Sequence, residues 1–296
     1  MRRRFVTLDV FTDRRFAGNP LAVVLDAERL DDEAMQAIAR EFNHPETVFV
    51  FPPSDPDRRA RVRIFTPARE LPFAGHPTVG TAVLLALRDG APAGGELVLE
   101  ESIGPVRCVV EASAGGRGRA RFAIPQLPAE AGPAPDGAAI AAALGLAPAE
   151  LGELAPARWS AGLPYTIVPL ATRAAVARCR PDPARFDAVF GQGGAPGAVY
   201  VFCRETVEPG RSFHARMFAP GMGVPEDPAT GSAVAAFAGM LAPRLPDGSH
   251  EIAIEQGYEM GRPGLIRLAA EVAAGRLVSA SIAGDAVIVT EGTLEA

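Results

Sequence analysis

Two segments of the chain predict helices that carry no charge on any face. They read PTVGTAVLLAL from Pro77 to Leu87 and PATGSAVAAFAGML from Pro228 to Leu241. A helix that is apolar all round must be buried, and both segments are too short to span a membrane. Most of the remaining chain alternates in the manner of β-strands, so we expect each helix to be enclosed by a sheet.

The same two helices end an internal repeat. RIFTPARELPFAGHPTVGTA runs from Arg63 to Ala82, and RMFAPGMGVPEDPATGSA runs from Arg216 to Ala233. Each copy is predicted to form a strand, a loop and the start of a helix, which indicates a duplicated structural unit. The predicted fold is therefore α+β, with two pseudo-symmetric lobes. Each lobe is expected to be a curved, mostly antiparallel sheet wrapped around a buried central helix.

A stretch rich in proline, alanine and glycine, from Leu127 to Gly137, is expected to join the lobes. This linker divides the chain into an N-terminal lobe of residues 1–127 and a C-terminal lobe of residues 128–296. The last strand could return to the N-terminal lobe. A length of 296 residues agrees with two domains.

The composition excludes several classes of function. The net charge is −6 and no face dense in basic residues is evident, so nucleic-acid binding is not expected. All 29 Lys and Arg positions hold arginine, and without lysine the chain can form neither a Schiff base nor a P-loop. Cys108, Cys179 and Cys203 are too sparse for a disulfide framework or a zinc–thiolate site. Neither a signal peptide nor a membrane span is predicted, which favours the cytoplasm.

Candidate binding residues cluster where the two apolar helices begin. If Pro77 and Pro228 are the first helical residues, then His76 and Asp227 lie at the caps. For Asp227 an ordinary helix cap is the simpler interpretation, whereas histidine is not a favoured cap residue.

Small and hydroxyl-bearing residues follow each predicted cap. Gly80 and Gly231 are expected in the first turns, where glycine costs about 1 kcal/mol relative to alanine unless something approaches the backbone closely. Thr81 and Ser232 add hydroxyl groups beside them. Free N–H groups, the positive end of the helix dipole and a small residue together predict an anion site, suited to the carboxylate of a small substrate.

Glu46 is the candidate acid/base. It stands between a turn at His44 and Pro45 and an apolar strand, where desolvation would raise its pKa toward neutrality. The alternative is a partly exposed glutamate at the start of a strand. His44, His214 and His250 are expected to be surface or strand residues. No spacing of histidines and acids predicts a metal site, and no nucleophile elbow predicts a serine hydrolase.

Five segments resemble the PhzF-like isomerase and epimerase family, which shares the diaminopimelate-epimerase fold. They are DVFTDRRFAGNPLAVV, NHPETVFV, RIFTPARELPFAGHPTVGTA, EDPATGSA and IEQGYEMGRPG. The resemblance covers nearly the whole chain. It implies two pseudo-symmetric lobes, an active site between them, no cofactor and a homodimer. We therefore expect His76 and Asp227 to share one cleft.

By the same resemblance, Glu46 is the acid/base that moves a substrate proton. The other matching positions assist in the reaction or line the pocket, and they are Asn19, Gly75, His76, Asp227 and Ser232. Pro45 departs from the family pattern, in which a small hydroxyl residue often precedes the glutamate.

Three functions fit these residues. The first is a cofactor-independent isomerase that shifts a proton within a small unsaturated amino or hydroxy acid, resembling trans-2,3-dihydro-3-hydroxyanthranilate isomerase. The second is a two-base epimerase, although its cysteine-dependent form is excluded because His76 and Asp227 stand where the two thiols would be. The third is a metabolite-binding or interaction protein on the same fold, which the presence of Glu46 and His76 disfavours.

Overall fold

A computed structural model describes all 296 residues of the chain. The helices are α1 (Asp32–Phe42), α2 (Gly75–Asp89), α3 (Gly137–Ala143), α4 (Arg173–Arg178), α5 (Pro183–Phe190) and α6 (Gly231–Leu241). The strands of the first half are β1 (Arg2–Val10), β2 (Asn19–Val24), β3 (Glu46–Phe51), β4 (Ala60–Phe65), β5 (Glu70–Leu71), β6 (Gly95–Glu101), β7 (Gly104–Ser113) and β8 (Arg117–Ala123). Those of the second half are β9 (Ala129–Glu130), β10 (Ala157–Ser160), β11 (Pro164–Pro169), β12 (Val199–Cys203), β13 (Phe213–Ala219), β14 (Val224–Asp227), β15 (Gly248–Gln256), β16 (Gly264–Ala273) and β17 (Arg276–Glu295). None of the helices combines the length and the hydrophobicity that a membrane crossing requires.

The chain divides into two compact units. The first contains Met1–Ala123 and Ala283–Ala296, and the second contains Ile124–Ile282. The division comes at Ala123, slightly before the predicted boundary at residue 127. The C-terminal part of β17 belongs to the first unit because it pairs antiparallel with β1 from Ala286 to Glu295.

In the first unit a sheet closes around α2. Each strand pairs with the next in the order β17, β1, β2, β3, β4, β6, β7 and β8, and β8 pairs with β17. The pairs β2–β3 and β4–β6 are parallel. Helix α2 packs against β1, β2, β3, β6, β7 and β8, and its residues from Gly75 to Ala86 are all buried. The uncharged sequence of this helix is therefore matched by burial on every side.

The second unit repeats this arrangement around α6. Its strands pair in the order β9, β10, β11, β12, β13, β15 and β16, and the pairs β11–β12 and β13–β15 are parallel. Helix α6 packs against β9, β10, β11 and β16. Parallel pairs thus occur at the same two places in each half. The predicted α+β class, with a mostly antiparallel sheet around a central helix in each lobe, is confirmed.

The repeat extends to the ion pairs that precede the central helices. Arg63 donates two hydrogen bonds to the carboxylate of Glu70, at 2.7 and 2.6 Å, and Arg216 donates two to Glu226, both at 2.8 Å. Each arginine lies on a long strand and each glutamate on the short strand beside it. A two-pronged arginine–carboxylate pair fixes geometry as well as charge, so the same clamp shapes the loop ahead of each helix.

Helix α2 begins before the predicted proline. Its N-cap is Ala74 and its first residue is Gly75, so His76 lies inside the helix. Pro77 is then the third helical residue, where the missing N–H is tolerated because N–H groups of the first turn have no partner within the helix. The predictions of Pro77 as first helical residue and of His76 as cap are wrong for this reason.

Helix α6 begins after the predicted proline. Its N-cap is Thr230 and its first residue is Gly231, while Asp227 is the last residue of β14. Pro228 therefore belongs to the connection between strand and helix. The interpretation of Asp227 as an ordinary helix cap is wrong, because the chain needs three more residues to enter the helix.

Gly80 lies in the second turn of α2, not in the first, and has a packing role. A Cβ atom there would lie 2.6 Å from Leu21 Cδ2 and 2.7 Å from Val10 Cγ2, both of which belong to fully buried side chains. The close approach that the glycine indicates is therefore made by β1 and β2. Nothing at this position requires a ligand.

Replacing Gly80 should accordingly affect folding. We expect Gly80→Val to lower the free energy of unfolding by about 1–3 kcal/mol, the usual cost of overpacking a core. The measurement is urea denaturation beside the wild type.

Gly137→Val in α3 is the matched control, because its nearest neighbour is the methyl group Leu151 Cδ1 at 3.2 Å, which can move. We expect a change below about 1 kcal/mol there. Equal losses at both positions would contradict the packing role of Gly80.

Candidate active site

The first unit brings Glu46 and His76 together. Glu46 begins β3, and His76 lies in the first turn of α2. The carboxylate Oε2 of Glu46 lies 3.2 Å from the imidazole Nε2 of His76, and the two side chains are 16% and 6% exposed. The candidate acid/base is therefore mostly buried and faces a histidine.

His76 is a neutral imidazole of defined tautomer. Burial lowers the pKa of His76 to about 3, although a hydrogen bond with the backbone of Pro20 acts in the opposite direction. Because proline has no N–H, the ring must donate its hydrogen to the Pro20 carbonyl oxygen. A neutral ring has one N–H, and Nε2 makes no hydrogen bond of its own. Nε2 therefore presents a lone pair to Glu46.

A tight turn brings Asn19 and Pro20 to the same edge of the sheet. Strands β2 and β3 are parallel and Leu21 is paired with Glu46, so the residues before Leu21 lie at the end of the sheet where Glu46 stands. Gly18 has φ 56°, and a Cβ atom there would lie 2.2 Å from the Val10 carbonyl oxygen. Only glycine fits this turn, which places fully buried Asn19 next to the carbonyl group that orients His76.

The second unit builds a hydrogen-bond network around Asp227. Asp227 Oδ2 accepts a hydrogen bond from Thr230 Oγ1 at 2.6 Å. The N–H of Thr230 donates to Gln256 Oε1 at 3.2 Å, and Gln256 Nε2 donates to the carbonyl oxygen of Asp227 at 2.8 Å. All three residues are buried. Gln256 was not identified as a site residue from the sequence, although it lies within the family segment IEQGYEMGRPG.

Ser232 and Gly231 form the first turn of α6. Val234 makes the first bond within the helix, to the Thr230 carbonyl oxygen, so the N–H groups of Gly231 and Ser232 point out of the helix end. The hydroxyl group of Ser232 lies 2.8 Å from Tyr165 Oη. These are the groups that an anion site requires, and the anion site itself stays a prediction.

The first turn of α2 has the same geometry. Thr78 makes the first bond within this helix, to the Ala74 carbonyl oxygen, which leaves the N–H groups of Gly75 and His76 outside the helical ladder. Thr81 is fully buried one turn further along, and its hydroxyl makes no hydrogen bond. The hydroxyl group of Thr81 therefore does not lie at the start of α2, where it was predicted.

The predicted residues thus form two sets. Asn19, Glu46, Gly75 and His76 belong to the first unit, and Asp227, Gly231 and Ser232 belong to the second. The expectation that His76 and Asp227 share one cleft stays a prediction.

The remaining histidines lie elsewhere. His214 on β13 is fully buried between Glu255 and Glu259, at 2.8 and 3.0 Å. Burial alone would lower the pKa of His214, but the two carboxylates raise it above its usual value. His44 stacks on Phe42 and His250 contacts the Pro246 carbonyl oxygen at 2.8 Å. No group of three or more His, Cys, Asp and Glu side chains is arranged to hold a metal ion.

The three cysteines are unsuited to proton abstraction. Cys108, Cys179 and Cys203 are free thiols and all are buried. Burial raises the pKa of Cys108 and of Cys179 to about 12, and that of Cys203 to about 11. A two-thiol epimerase mechanism therefore has no thiolate to use.

A cavity of about 530 Å³ lies in the first unit, but neither Glu46 nor His76 lines it. Its charges are largely paired, because Arg63 binds Glu70 and Arg58 lies 3.5 Å from Glu100. The cavity is therefore separate from the candidate acid/base.

Comparisons with known proteins identify the family. The family model described as phenazine biosynthesis-like protein matches residues 8–292. The chain is 51% identical over 300 residues to an uncharacterized isomerase of Mesorhizobium japonicum, covering 99% of this chain and 98% of that protein. It is 36% identical over 293 residues to trans-2,3-dihydro-3-hydroxyanthranilate isomerase of Pseudomonas aeruginosa, covering 98% of each. The crystal structure of the PhzF-family phenazine biosynthesis protein of Bacillus anthracis matches with a TM-score of 0.88 over 100% of both chains, at 28% identity.

The matched range includes both residue sets, from Asn19 to Ser232. The resemblance that five segments of the sequence indicated is therefore confirmed. This chain belongs to the PhzF-like phenazine biosynthesis family and is an isomerase.

Proposed function

We propose that the protein is a cofactor-independent isomerase that moves a proton between two carbons of a small unsaturated amino or hydroxy acid. Trans-2,3-dihydro-3-hydroxyanthranilate is the model substrate, because a relative that is 36% identical is named for its isomerisation. The observation that carries the proposal is the contact between Glu46 and a neutral His76.

Glu46 is the single acid/base of the proposed reaction. Its carboxylate takes a proton from one substrate carbon, and the electrons of that C–H bond move into the conjugated system. The carboxyl group then returns the proton to a carbon at the other end of the system. The double bond moves and the substrate is neither oxidised nor reduced, so the reaction needs no co-reactant.

His76 adjusts the basicity of Glu46. The Nε2 lone pair faces the carboxylate at 3.2 Å, and a lone pair repels a carboxylate but accepts a hydrogen bond from a protonated carboxyl group. The contact therefore favours the form of Glu46 that has taken up the substrate proton. A charged imidazolium would have the opposite effect, so the neutrality imposed by burial is part of the mechanism.

The Asp227 set is proposed to bind the polar groups of the substrate. The N–H groups at the start of α6 suit a carboxylate, and the carboxylate of Asp227 suits an amino or hydroxyl group. Thr230 holds Asp227 in one orientation, so the acceptor is preorganised. Location in the cytoplasm and assembly as a homodimer remain predictions.

Glu46→Gln should abolish proton transfer while keeping the volume and the fold. We expect turnover of trans-2,3-dihydro-3-hydroxyanthranilate to fall by at least about 10²–10⁴-fold, because an amide cannot accept a proton from carbon. Incorporation of solvent deuterium into the substrate should fall equally. The measurement is NMR in heavy water, with thermal unfolding as a check that the variant is folded.

Glu41→Gln is the matched control, because Glu41 is an exposed residue of α1 near the same strand. It should exchange and turn over substrate like the wild type. Exchange at the wild-type rate in Glu46→Gln would assign the proton to another group, and the mechanism above would be wrong.

Thr230→Val tests the Asp227 set. Removing the hydroxyl removes the 2.6 Å hydrogen bond to Asp227, and hydrogen bonds to charged groups contribute about 1.5–3 kcal/mol. We expect KM to rise by about tenfold or more, as for Asp227→Asn, and kcat to fall with it.

Thr230→Ser keeps the hydroxyl group and should keep both constants near those of the wild type. If Thr230→Val and Asp227→Asn leave KM and kcat unchanged, the Asp227 set has no part in the reaction. Steady-state kinetics of all three variants decides the point.

A further inference from the structure

Glu101 is a buried carboxyl group that the proposed reaction does not use. It ends β6 and is 7% exposed, and its Oε1 lies 2.7 Å from Thr78 Oγ1 in the first turn of α2. Its Oε2 is buried without a hydrogen-bond partner. Arg58, which lines the adjoining cavity, lies 3.5 Å from the neighbouring Glu100 instead. Glu101 therefore receives neither a positive charge nor a second donor.

The hydrogens around Glu101 favour its protonated form. Thr78 Oγ1 lies 2.7 Å from Glu101 and also 2.8 Å from the Ala74 carbonyl oxygen. A hydroxyl group has one hydrogen, and a carbonyl oxygen can only accept. Both contacts are hydrogen bonds only when Thr78 donates to Ala74 and the carboxyl group of Glu101 donates to Thr78. An ionised Glu101 would in addition bury a charged oxygen without a donor.

The repeat continues through the strands that follow the two central helices. The strands β6 and β15 end with the pairs Glu100-Glu101 and Glu255-Gln256, in the similar sequences ELVLEE and EIAIEQ. The first glutamate of each pair accepts backbone N–H groups from the loop after β3 or β12, and the donors are Ser54, Asp55, Val207 and Glu208. The second residue of each pair is therefore also equivalent, so Gln256 corresponds to Glu101.

Gln256, like Glu101, contacts a threonine near the start of a central helix, although the repeat aligns Thr230 with Val79 and not with Thr78. Its Nε2 lies 3.0 Å from Thr230 Oγ1 at the start of α6, as Glu101 lies beside Thr78 at the start of α2. An amide is an uncharged group that both donates and accepts, and among carboxyl states only the protonated acid shares this property. The position equivalent to Glu101 thus holds a neutral donor in the second unit.

We propose that Glu101 is a positioning residue that acts as a protonated carboxylic acid, holding the first turn of α2 and with it His76. The inference rests on the role proposed above for His76. Helix α2 has Ala74 as its N-cap and no side-chain cap. The contacts from Glu101 through Thr78 to the Ala74 carbonyl oxygen tie the start of the helix to the end of β6.

Loss of the proton from Glu101 would disrupt the hydrogen bonds of Thr78. Burial raises the pKa of Glu101 to about 8, against the opposing effect of the Thr78 hydrogen bond. A carboxylate cannot donate, so above this pH Thr78 must turn its hydrogen from Ala74 to Glu101. Cys108 on β7 stays neutral, since its pKa is about 12. The charged groups that line the adjoining cavity with Glu101 are Arg58, Arg61, Arg63, Glu70 and Glu100.

Glu101→Gln, which copies the residue of the second unit, tests the protonation state without any substrate. In the wild type, Glu101 keeps its proton up to about pH 8 when folded but loses it near pH 4.5 when unfolded. The stability from this group is complete below about pH 4.5 and is lost as the pH rises to about 8. The Tm of Glu101→Gln minus that of the wild type should therefore increase by several degrees between about pH 5 and pH 8.

Glu100→Gln is the matched control at the neighbouring position. Hydrogen bonds from Ser54 and Asp55 keep the pKa of Glu100 below its usual range, so it is ionised in both states throughout this interval. The Tm difference for Glu100→Gln should not change from about pH 5 to pH 9. A Tm difference for Glu101→Gln that is equally constant would overturn the proposal.

The NMR signals of His76 test the positioning role. The chain has four histidines, so the His76 ring signal can be assigned by its loss in His76→Gln. We expect it to shift in the wild type as the pH passes about 8, and to stay constant in Glu101→Gln. An unshifted signal in the wild type would overturn the positioning role, even if Glu101→Gln did not fold.

The pH profile of kcat connects the two proposals. Turnover by the wild type should decline above about pH 8, and Glu101→Gln should remove this decline. If the His76 signal shifts as expected but the protein isomerises none of the candidate acids, the proposed function fails and the role of Glu101 stands.

Discussion

Each unit is organised by the burial of an uncharged helix. Such a helix can be covered on all sides by apolar strands, but its first turn still has N–H groups without partners in the helix. Buried polar groups must be satisfied, so polar residues have to gather where α2 and α6 begin. His76 and Glu46 lie at one helix start and Asp227 and Thr230 at the other. The residues suited to chemistry therefore lie where the buried helices leave backbone N–H groups outside the helical ladder.

The duplicated framework and the chemistry are carried by different residues. The arginine clamps of Arg63 and Arg216 have the same form in both units, and so does the order of parallel and antiparallel strands. The groups at the two helix starts differ. In the first unit the carboxylate of Glu46 faces the neutral imidazole of His76. In the second unit Asp227 is hydrogen-bonded to the hydroxyl group of Thr230 and the amide of Gln256. A shared framework thus positions unlike functional groups in the two units.

The sequence predicted the parts of this structure that a short segment encodes. The absence of charge from Pro77 to Leu87 requires burial on all sides, and the apolar residues that follow Glu46 place it at the start of β3. Helix starts were less predictable, since a proline is tolerated throughout the first turn and before it. Gly80 indicated that some group packs closely against α2. It could not identify Val10 and Leu21 as that group, because both are distant from it in sequence.

Tertiary contacts decide the rest of the site, and the equivalence of Glu101 and Gln256 shows why. The two strands share a pattern, but Glu101 lies 21 positions after Gly80, whereas Gln256 lies 25 positions after Gly231. This difference hides the end of the repeat from inspection of the helices alone.

Adjacent glutamates of one strand can differ in charge when their side chains meet different groups. Glu100 and Glu101 point to opposite faces of β6, because side chains alternate along a strand. One carboxyl group meets the N–H groups of Ser54 and Asp55 and is ionised, while the other meets a single hydroxyl group beside α2 and is stabilised as an acid. The supply of donors on each face, rather than the residue type, determines which carboxyl group carries a charge. The surroundings also decide the charge of His76, because burial lowers its pKa to about 3 and keeps the ring neutral.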